Sequence, residues 1–222
     1  VAFLRARQTS RDNADIEELQ RCHQEATSYL ELAQKYTNPP APILFVTYGP
    51  SGSGKTHATQ VIVKEWGAVR LRSDVERKRL AGLAPNESSQ SAIGGGLYSS
   101  ELTHRTYQRL KQLATRILEG GLSVIIDATN LRREQRTLFR DLARKLGIRH
   151  IILEFTAPIA VLRERVAQRQ QAGNDASEAT VAVLERQLQE IEPLDEAERL
   201  EAISVDTTAT DTAAQLGKGL AS

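Results

Sequence analysis

Residues 43–56 read Ile43-Leu44-Phe45-Val46-Thr47-Tyr48-Gly49-Pro50-Ser51-Gly52-Ser53-Gly54-Lys55-Thr56. The first six residues form a short, mostly apolar run, as expected for a strand buried at the centre of a parallel sheet. It runs directly into G-x-x-x-x-G-K-[ST], matched at every fixed position, and a helical pattern from about His57 to Trp66 follows. Glycines let successive backbone N–H groups curl around an anion without side chains in the way. The N-terminus of the following helix adds partial positive charge. Lys55 is expected to reach the β- and γ-phosphates of a bound nucleotide, and the Thr56 hydroxyl to ligate Mg²⁺. Gly49, Pro50, Ser51, Gly52, Ser53, Gly54, Lys55 and Thr56 are therefore expected to bind a nucleoside triphosphate, with ATP and Mg²⁺ as the cofactors.

Outward from this stretch the chain alternates strands with helices. Strands are expected near Ala68–Leu71, Leu122–Ile126, His150–Phe155 and Leu200–Val205. Helices are expected at Glu101–Glu119, ended by Gly120-Gly121, at Arg133–Leu146, ended by Gly147, at Pro158–Gln171 and Ser177–Ile191, and from near Asp211. This alternation predicts a three-layer α/β fold over residues 43–222, a five-stranded parallel sheet with helices on both faces. Residues 1–42 read differently. Ile16, Leu19, Ala26, Tyr29, Leu30, Ala33 and Tyr36 form a helical stripe, and Asn38-Pro39-Pro40-Ala41-Pro42 reads as a stiff, extended linker. A lone helix cannot bury such a stripe, so it must pack on something else.

Composition narrows the function classes. The chain has 222 residues, 26% of them charged, which is globular rather than disordered in character. Its 29 basic and 28 acidic residues leave a formal charge of +1, which gives no electrostatic case for a membrane-surface or duplex-binding protein. With 5% aromatics, long nucleic-acid tracking is also disfavoured. No apolar run approaches the ~20 residues of a membrane span. Cys22 is the only cysteine, so no intrachain disulfide forms, which suits a reducing, cytoplasmic location. The chain begins at Val1 and contains no methionine, and it reads as a fragment or processed product of a longer protein.

In a parallel sheet, residues just past the C-terminal ends of strands face the ligand crevice. Past the second strand stand Asp74 and Arg77. Asp74 could accept a proton from an attacking hydroxyl, while Arg77, about one turn on, could hold an anionic acceptor. Asp74 also reads as an N-cap for a helix over Val75–Ala81, and both roles are compatible. At the end of the third strand, Asp127 could hold a Mg²⁺-bound water or be a strand-end turn residue; Thr129 and Asn130 offer polar contacts to an acceptor. Arg163, Arg165 and Arg169 share one helix. Arg165 and Arg169 sit on one face, suited either to phosphate charge under a lid turning at Gly173-Asn174 or to a solvated face paired with Glu164 and Asp175. The 82–100 segment, with Gly94-Gly95-Gly96, reads as a long loop beside the acceptor.

Residues 43–217 resemble the P-loop kinase-like ATP-binding domain found C-terminal to aminoglycoside-phosphotransferase-like domains. That group is similar to polynucleotide 5′-kinases, zeta toxins, chloramphenicol phosphotransferase and gluconate kinase. Its matching stretches are Gly49–Thr56, Arg72–Arg77, Val124–Asn130, Leu162–Arg169, and Asp175-Ala176-Ser177-Glu178-Ala179 with Leu184 and Gln187. The resemblance implies a P-loop NTPase, nucleoside-kinase-like fold with strand order 2-3-1-4-5, Asp74 as base and Arg77 as the holder of substrate phosphate. It also implies that Val205-Asp206-Thr207 borders the adenine, and that residues 1–36 are the closing helices of an upstream domain. Ser73 departs from the polynucleotide-kinase pattern, which has an arginine there. The leading expectation is a phosphotransferase moving the γ-phosphoryl of ATP to a hydroxyl acceptor: a small molecule, a nucleotide sugar or a 5′-hydroxyl end. The alternative is a regulatory ATP-binding module of a larger protein. A mechanical AAA-type ATPase is disfavoured, because no arginine-finger segment and no lid domain after the fifth strand can be placed.

Overall fold

The computed structural model describes residues 16–37, 40–84, 87, 99–172, 177 and 179–221. The chain divides into two compact units, Val1–Pro40 and Ala41–Ser222. The described part of the first is helix α1 (Ile16–Thr37), on which Ile16, Tyr29, Leu30 and Leu32 are exposed.

The second unit contains β1 (Ile43–Tyr48), α2 (Lys55–Ala58), α3 (Gln60–Trp66), β2 (Val69–Arg72), α4 (Ser73–Leu80), α5 (Ser100–Glu119), β3 (Val124–Asp127) and α6 (Arg133–Leu146). β4 (Arg149–Thr156), α7 (Ile159–Ala172), α8 (Val181–Glu190), α9 (Glu196–Leu200), β5 (Ala202–Asp206) and α10 (Thr212–Ala221) complete it. The sheet has the order β2-β3-β1-β4-β5 and every pairing is parallel, as expected. All six residues of β1 are buried, because it is hydrogen-bonded on both edges and covered on both faces.

Alternation along β1 divides the core. Ile43 and Phe45 face Ala58, Ile62, Leu216 and Leu220 of α2, α3 and α10. Leu44 and Val46 face Tyr107, Leu110 and Leu118 of α5 and Phe139 and Leu142 of α6. A smaller cluster of Leu162, Val166 and Leu184 joins α7 to α8. No described helix is long and apolar enough to cross a membrane.

Some boundaries differ from expectation. The helix expected over Ser177–Ile191 spans Val181–Glu190, where the Thr180 hydroxyl accepts from the Val183 amide at 3.3 Å. Leu200 does not open β5. It closes α9 and is 90% exposed. Periodicity predicts no helix there, although Asp195-Glu196-Ala197-Glu198 is a capping box. The Asp195 carboxylate accepts from the Glu198 amide at 2.8 Å, and the Glu198 carboxylate accepts from the Asp195 amide at 3.0 Å. Asp74 is not an N-cap. Arg72 caps α4, and the Asp74 carboxylate lies in the first turn, accepting from the Val75 amide at 2.8 Å. The Gly94-Gly95-Gly96 loop, the Gly173-Asn174 turn and most of Asp175–Glu178 lie outside the described residues.

Candidate active site

The phosphate loop follows β1 and is shaped by backbone that only glycine takes without strain. Gly52 has φ +84°, and a Cβ there would lie 2.7 Å from the Leu162 carbonyl oxygen of α7. Gly49 has φ +144°, and its Cβ would lie 2.6 Å from the Phe155 carbonyl oxygen. The Gly49 amide donates to the Thr129 carbonyl at 3.1 Å, tying the loop's root to the turn after β3. Lys55 is 8% exposed and curls back along the loop. Its Nζ donates to the Gly49 and Pro50 carbonyls at 2.8 and 2.6 Å and to Ser53 Oγ at 3.2 Å. Burial lowers its pKa to about 8, opposed by the Asp127 and Asp74 carboxylates and assisted by the Arg169 cation.

Parallel pairing of β2 with β3 sets Arg72 level with Asp127, bringing two strand ends to the loop. Asp127 is 6% exposed, and its Oδ2 accepts from the Thr56 hydroxyl at 2.8 Å. Burial raises its pKa above the usual carboxylate range, while the Thr56 hydrogen bond and the Lys55 ammonium pull it down. A hydroxyl and a carboxylate oxygen so close together suit a small, hard cation that keeps waters and shares phosphate oxygens. Asp74 also lines the cleft. It is held by Arg72 in a two-pronged pair, Nε to Oδ1 at 3.1 Å and Nη2 to Oδ2 at 2.7 Å.

The arginines of α7 separate into different environments. Arg163 pairs with Glu185 on the exposed surface. Arg165 braces the loop, donating to the Gly52 carbonyl at 3.3 Å, to Thr207 Oγ1 at 2.9 Å and to the Thr207 carbonyl at 2.9 Å. Arg169 lines the cleft with Lys55, and its Nε and Nη2 are buried with no hydrogen-bond partner. Glu164 accepts from Gln168 rather than from an arginine. Thr207 packs against Gly54, whose Cβ would meet the Thr207 side chain at 3.2 Å, whereas Asp206 is exposed and accepts from the Thr208 amide at 2.8 Å. Asn130 does not offer a polar contact to an acceptor: it is fully buried with φ 47°, and its Nδ2 donates to the Thr47 carbonyl at 2.6 Å. Thr129 remains on the cleft wall.

Lys55, Thr56, Asp127, Asp74, Arg165 and Arg169 open onto one cleft of about 800 Å³, which Arg77, Tyr107, Arg132 and Arg186 also line. Tyr107 is buried, and its hydroxyl pKa is raised by burial while the Arg77 cation pulls it down. In sequence Tyr107 reads as an ordinary core residue of α5. The available signal is the spacing of Ser100, Thr103, His104, Tyr107 and Gln108, which places five polar or half-polar residues along one helical face. On the α6–α8 side, Glu190 bridges Arg132 at 3.0 Å and Arg186 at 2.7 Å. The Arg186–Glu190 half is an ordinary i,i+4 helix pair, but nothing in local sequence announces Arg132, 58 residues away.

Comparison with solved structures identifies the architecture. The chain superposes on a gluconokinase from Sinorhizobium meliloti 1021 with a TM-score of 0.54 and 20% identity, over 81% of this chain and 90% of that one. A putative kinase from Chloroflexus aurantiacus gives 0.61 and 22%, over 82% and 98%. The Mycobacterium tuberculosis APS kinase CysC, in complex with AMPPNP and APS, gives 0.58 and 18%, over 83% and 100%. These likenesses show a P-loop kinase-like fold. Uncharacterized proteins of Mycobacterium tuberculosis and Mycobacterium bovis are 25% identical over 160 residues, 72% of this chain and 32% of theirs. The chain thus spans about a third of the length of those curated relatives. Residues 44–194 match the AAA_33 family, described as an AAA domain, and the chain belongs to that family.

Proposed function

We propose that the 43–222 domain is an ATP·Mg²⁺-dependent phosphotransferase acting on a hydroxyl acceptor. The observation that carries this reading is the shared cleft: a phosphate loop, a carboxylate and several guanidinium groups line one cavity of about 800 Å³, with room for a second molecule. The fold held in common with a gluconokinase and an APS kinase supports it. Mg²⁺, held through Thr56 and the Asp127 carboxylate, would offset negative charge on the phosphates.

In the proposed reaction the acceptor hydroxyl oxygen forms a bond to the γ-phosphorus. The bond from that phosphorus to the β–γ bridging oxygen breaks, and ADP leaves. The hydroxyl proton passes to Asp74, oriented by the Arg72 fork. Lys55 stabilises the β- and γ-oxygens, and the unpaired buried guanidinium nitrogens of Arg169 meet charge developing on the moving group. Arg165 holds the loop against Thr207, where Thr207 and Asp206 would border the base. Arg77, Arg132 and Arg186 suit an acceptor with an anionic group: a small metabolite, a nucleotide sugar or a 5′-hydroxyl end. With one cysteine, we place the protein in the cytoplasm.

A phosphotransfer screen with labelled ATP over aminoglycosides, nucleotide sugars, sugar acids and 5′-hydroxyl oligonucleotides tests the reading. Asp74→Asn should cut turnover of the productive acceptor by about 10²–10⁴-fold with ATP affinity retained. Unchanged turnover would remove Asp74 as base. A second reading is a regulatory ATP-binding module within a longer protein, possessing an upstream aminoglycoside-phosphotransferase-like domain. The Arg72–Asp74 pair favours it, since both oxygens of the proposed base are engaged. In that case the screen yields ATP binding without any labelled product.

A further inference from the structure

We propose that Gln187 is a positioning residue that reads the terminal phosphate of the bound nucleotide and so distinguishes a triphosphate from a diphosphate. The inference rests on the reading of Gly49–Thr56 as a nucleoside triphosphate loop. Loop amides of this kind are normally directed at phosphate oxygens. Here the Ser51 amide donates instead to Gln187 Oε1 at 2.8 Å, from a residue 136 positions further along the chain. The contact is firmly seated. Gln187 belongs to α8, whose Leu184 packs on Leu162 and Val166 of α7. α7 in turn closes on Gly52, where even a Cβ would meet the Leu162 carbonyl at 2.7 Å. The Ser51–Gly52 arch is thereby gripped by both helices.

Position along the nucleotide follows from Lys55. Its ammonium, which serves β- and γ-oxygens, lies against the Gly49 and Pro50 carbonyls beside Ser51. The arch therefore stands at the γ end of the loop, and the β-phosphate end lies toward the start of α2. A side-chain amide whose oxygen is taken by Ser51 has only its NH₂ group left to donate. Gln187 lines the same cleft as Lys55 and Arg169. Its NH₂ is thus a donor for the terminal phosphate of a triphosphate, beyond the reach of a diphosphate.

Calorimetric titration of the chain with Mg²⁺ and either ADP or the non-hydrolysable analogue AMPPNP tests this. Gln187→Glu preserves an acceptor for the Ser51 amide but replaces the donor with a carboxylate facing the phosphate. It should weaken AMPPNP binding by about tenfold or more, exchanging a charge-assisted hydrogen bond for a repulsion, while ADP binding stays within about twofold. Equal losses for both nucleotides would reduce Gln187 to a loop support and overturn the proposal, as would no loss for either. Gln187→Ala, which removes the donor together with the acceptor of the Ser51 amide and adds no charge, should show the same selective loss at smaller size, and serves if the glutamate variant fails to fold. Wild-type chain that binds neither nucleotide would overturn the triphosphate-loop reading itself, a result distinct from failure at Gln187.

Discussion

Lys55 carries its charge inside the protein, and burial brings its pKa down to about 8. The protonated form is the one that binds phosphate, so the free chain loses binding-competent ammonium as pH rises through that value. Nucleotide affinity should be flat between about pH 7 and 7.5 and then fall, approaching tenfold per unit above 8 until the lysine's pKa in the complex is passed. Fluorescence or calorimetric titration across pH 7–9.5 would show the bend, and Lys55→Arg should lack it because a guanidinium stays charged. Neither the identity of Lys55 nor its place in the loop needed tertiary information, since the eight-residue motif is contiguous. Asn130 shows the opposite case. From sequence it is a polar residue at a strand end, but the fold turns its amide onto the Thr47 carbonyl, where it braces β1 and leaves the cleft. Gln187 differs again, because its contact with Ser51 depends on where α8 lands.

Among the elements, the start of α6 and the segment through α9 are pinned together by Arg136. This side chain is 1% exposed and forks the Glu198 carboxylate at 2.8 and 2.9 Å. It also donates to the Asn130, Leu131 and Glu192 carbonyls and lies 5.0 Å over the Tyr48 ring. Removing Glu198 strands the buried guanidinium, and removing Arg136 strands the buried carboxylate together with several carbonyls. Arg136→Ala or Glu198→Ala should each destabilise the fold by about 3–5 kcal/mol, read as a lowered midpoint in urea unfolding. Arg136→Met with Glu198→Leu should recover much of that loss, because both buried charges are then gone. A loss in the double variant equal to the sum of the singles would show the pair acting independently. Periodicity locates α6, whereas α9 goes unread in the sequence although its capping box is contiguous there. What joins them is a pairing across 62 residues, which no local pattern encodes.

At the scale of the molecule, the parallel order β2-β3-β1-β4-β5 gathers the phosphate loop, Asp74, Asp127 and Thr207 at the same ends of their strands. Every described residue assigned to the site and both large core clusters lie within Ala41–Ser222. A chain lacking residues 1–40 should accordingly bind AMPPNP within about twofold of the 222-residue chain; a larger loss would make the first unit part of the nucleotide site. The longer mycobacterial relatives are the natural setting in which to ask what α1 serves, and an upstream domain remains our proposal. Sequence alone determined the fold class and the phosphate loop, because buried-strand character, helical periodicity and the P-loop motif are short-range signals written in consecutive residues. Only the tertiary structure decided that Arg72 holds Asp74, that Arg165 braces the loop while Arg169 is left to the cleft, and that Gln187 meets Ser51. Those are choices of partner among side chains of equal chemistry, and they are settled by distance, which packing alone supplies.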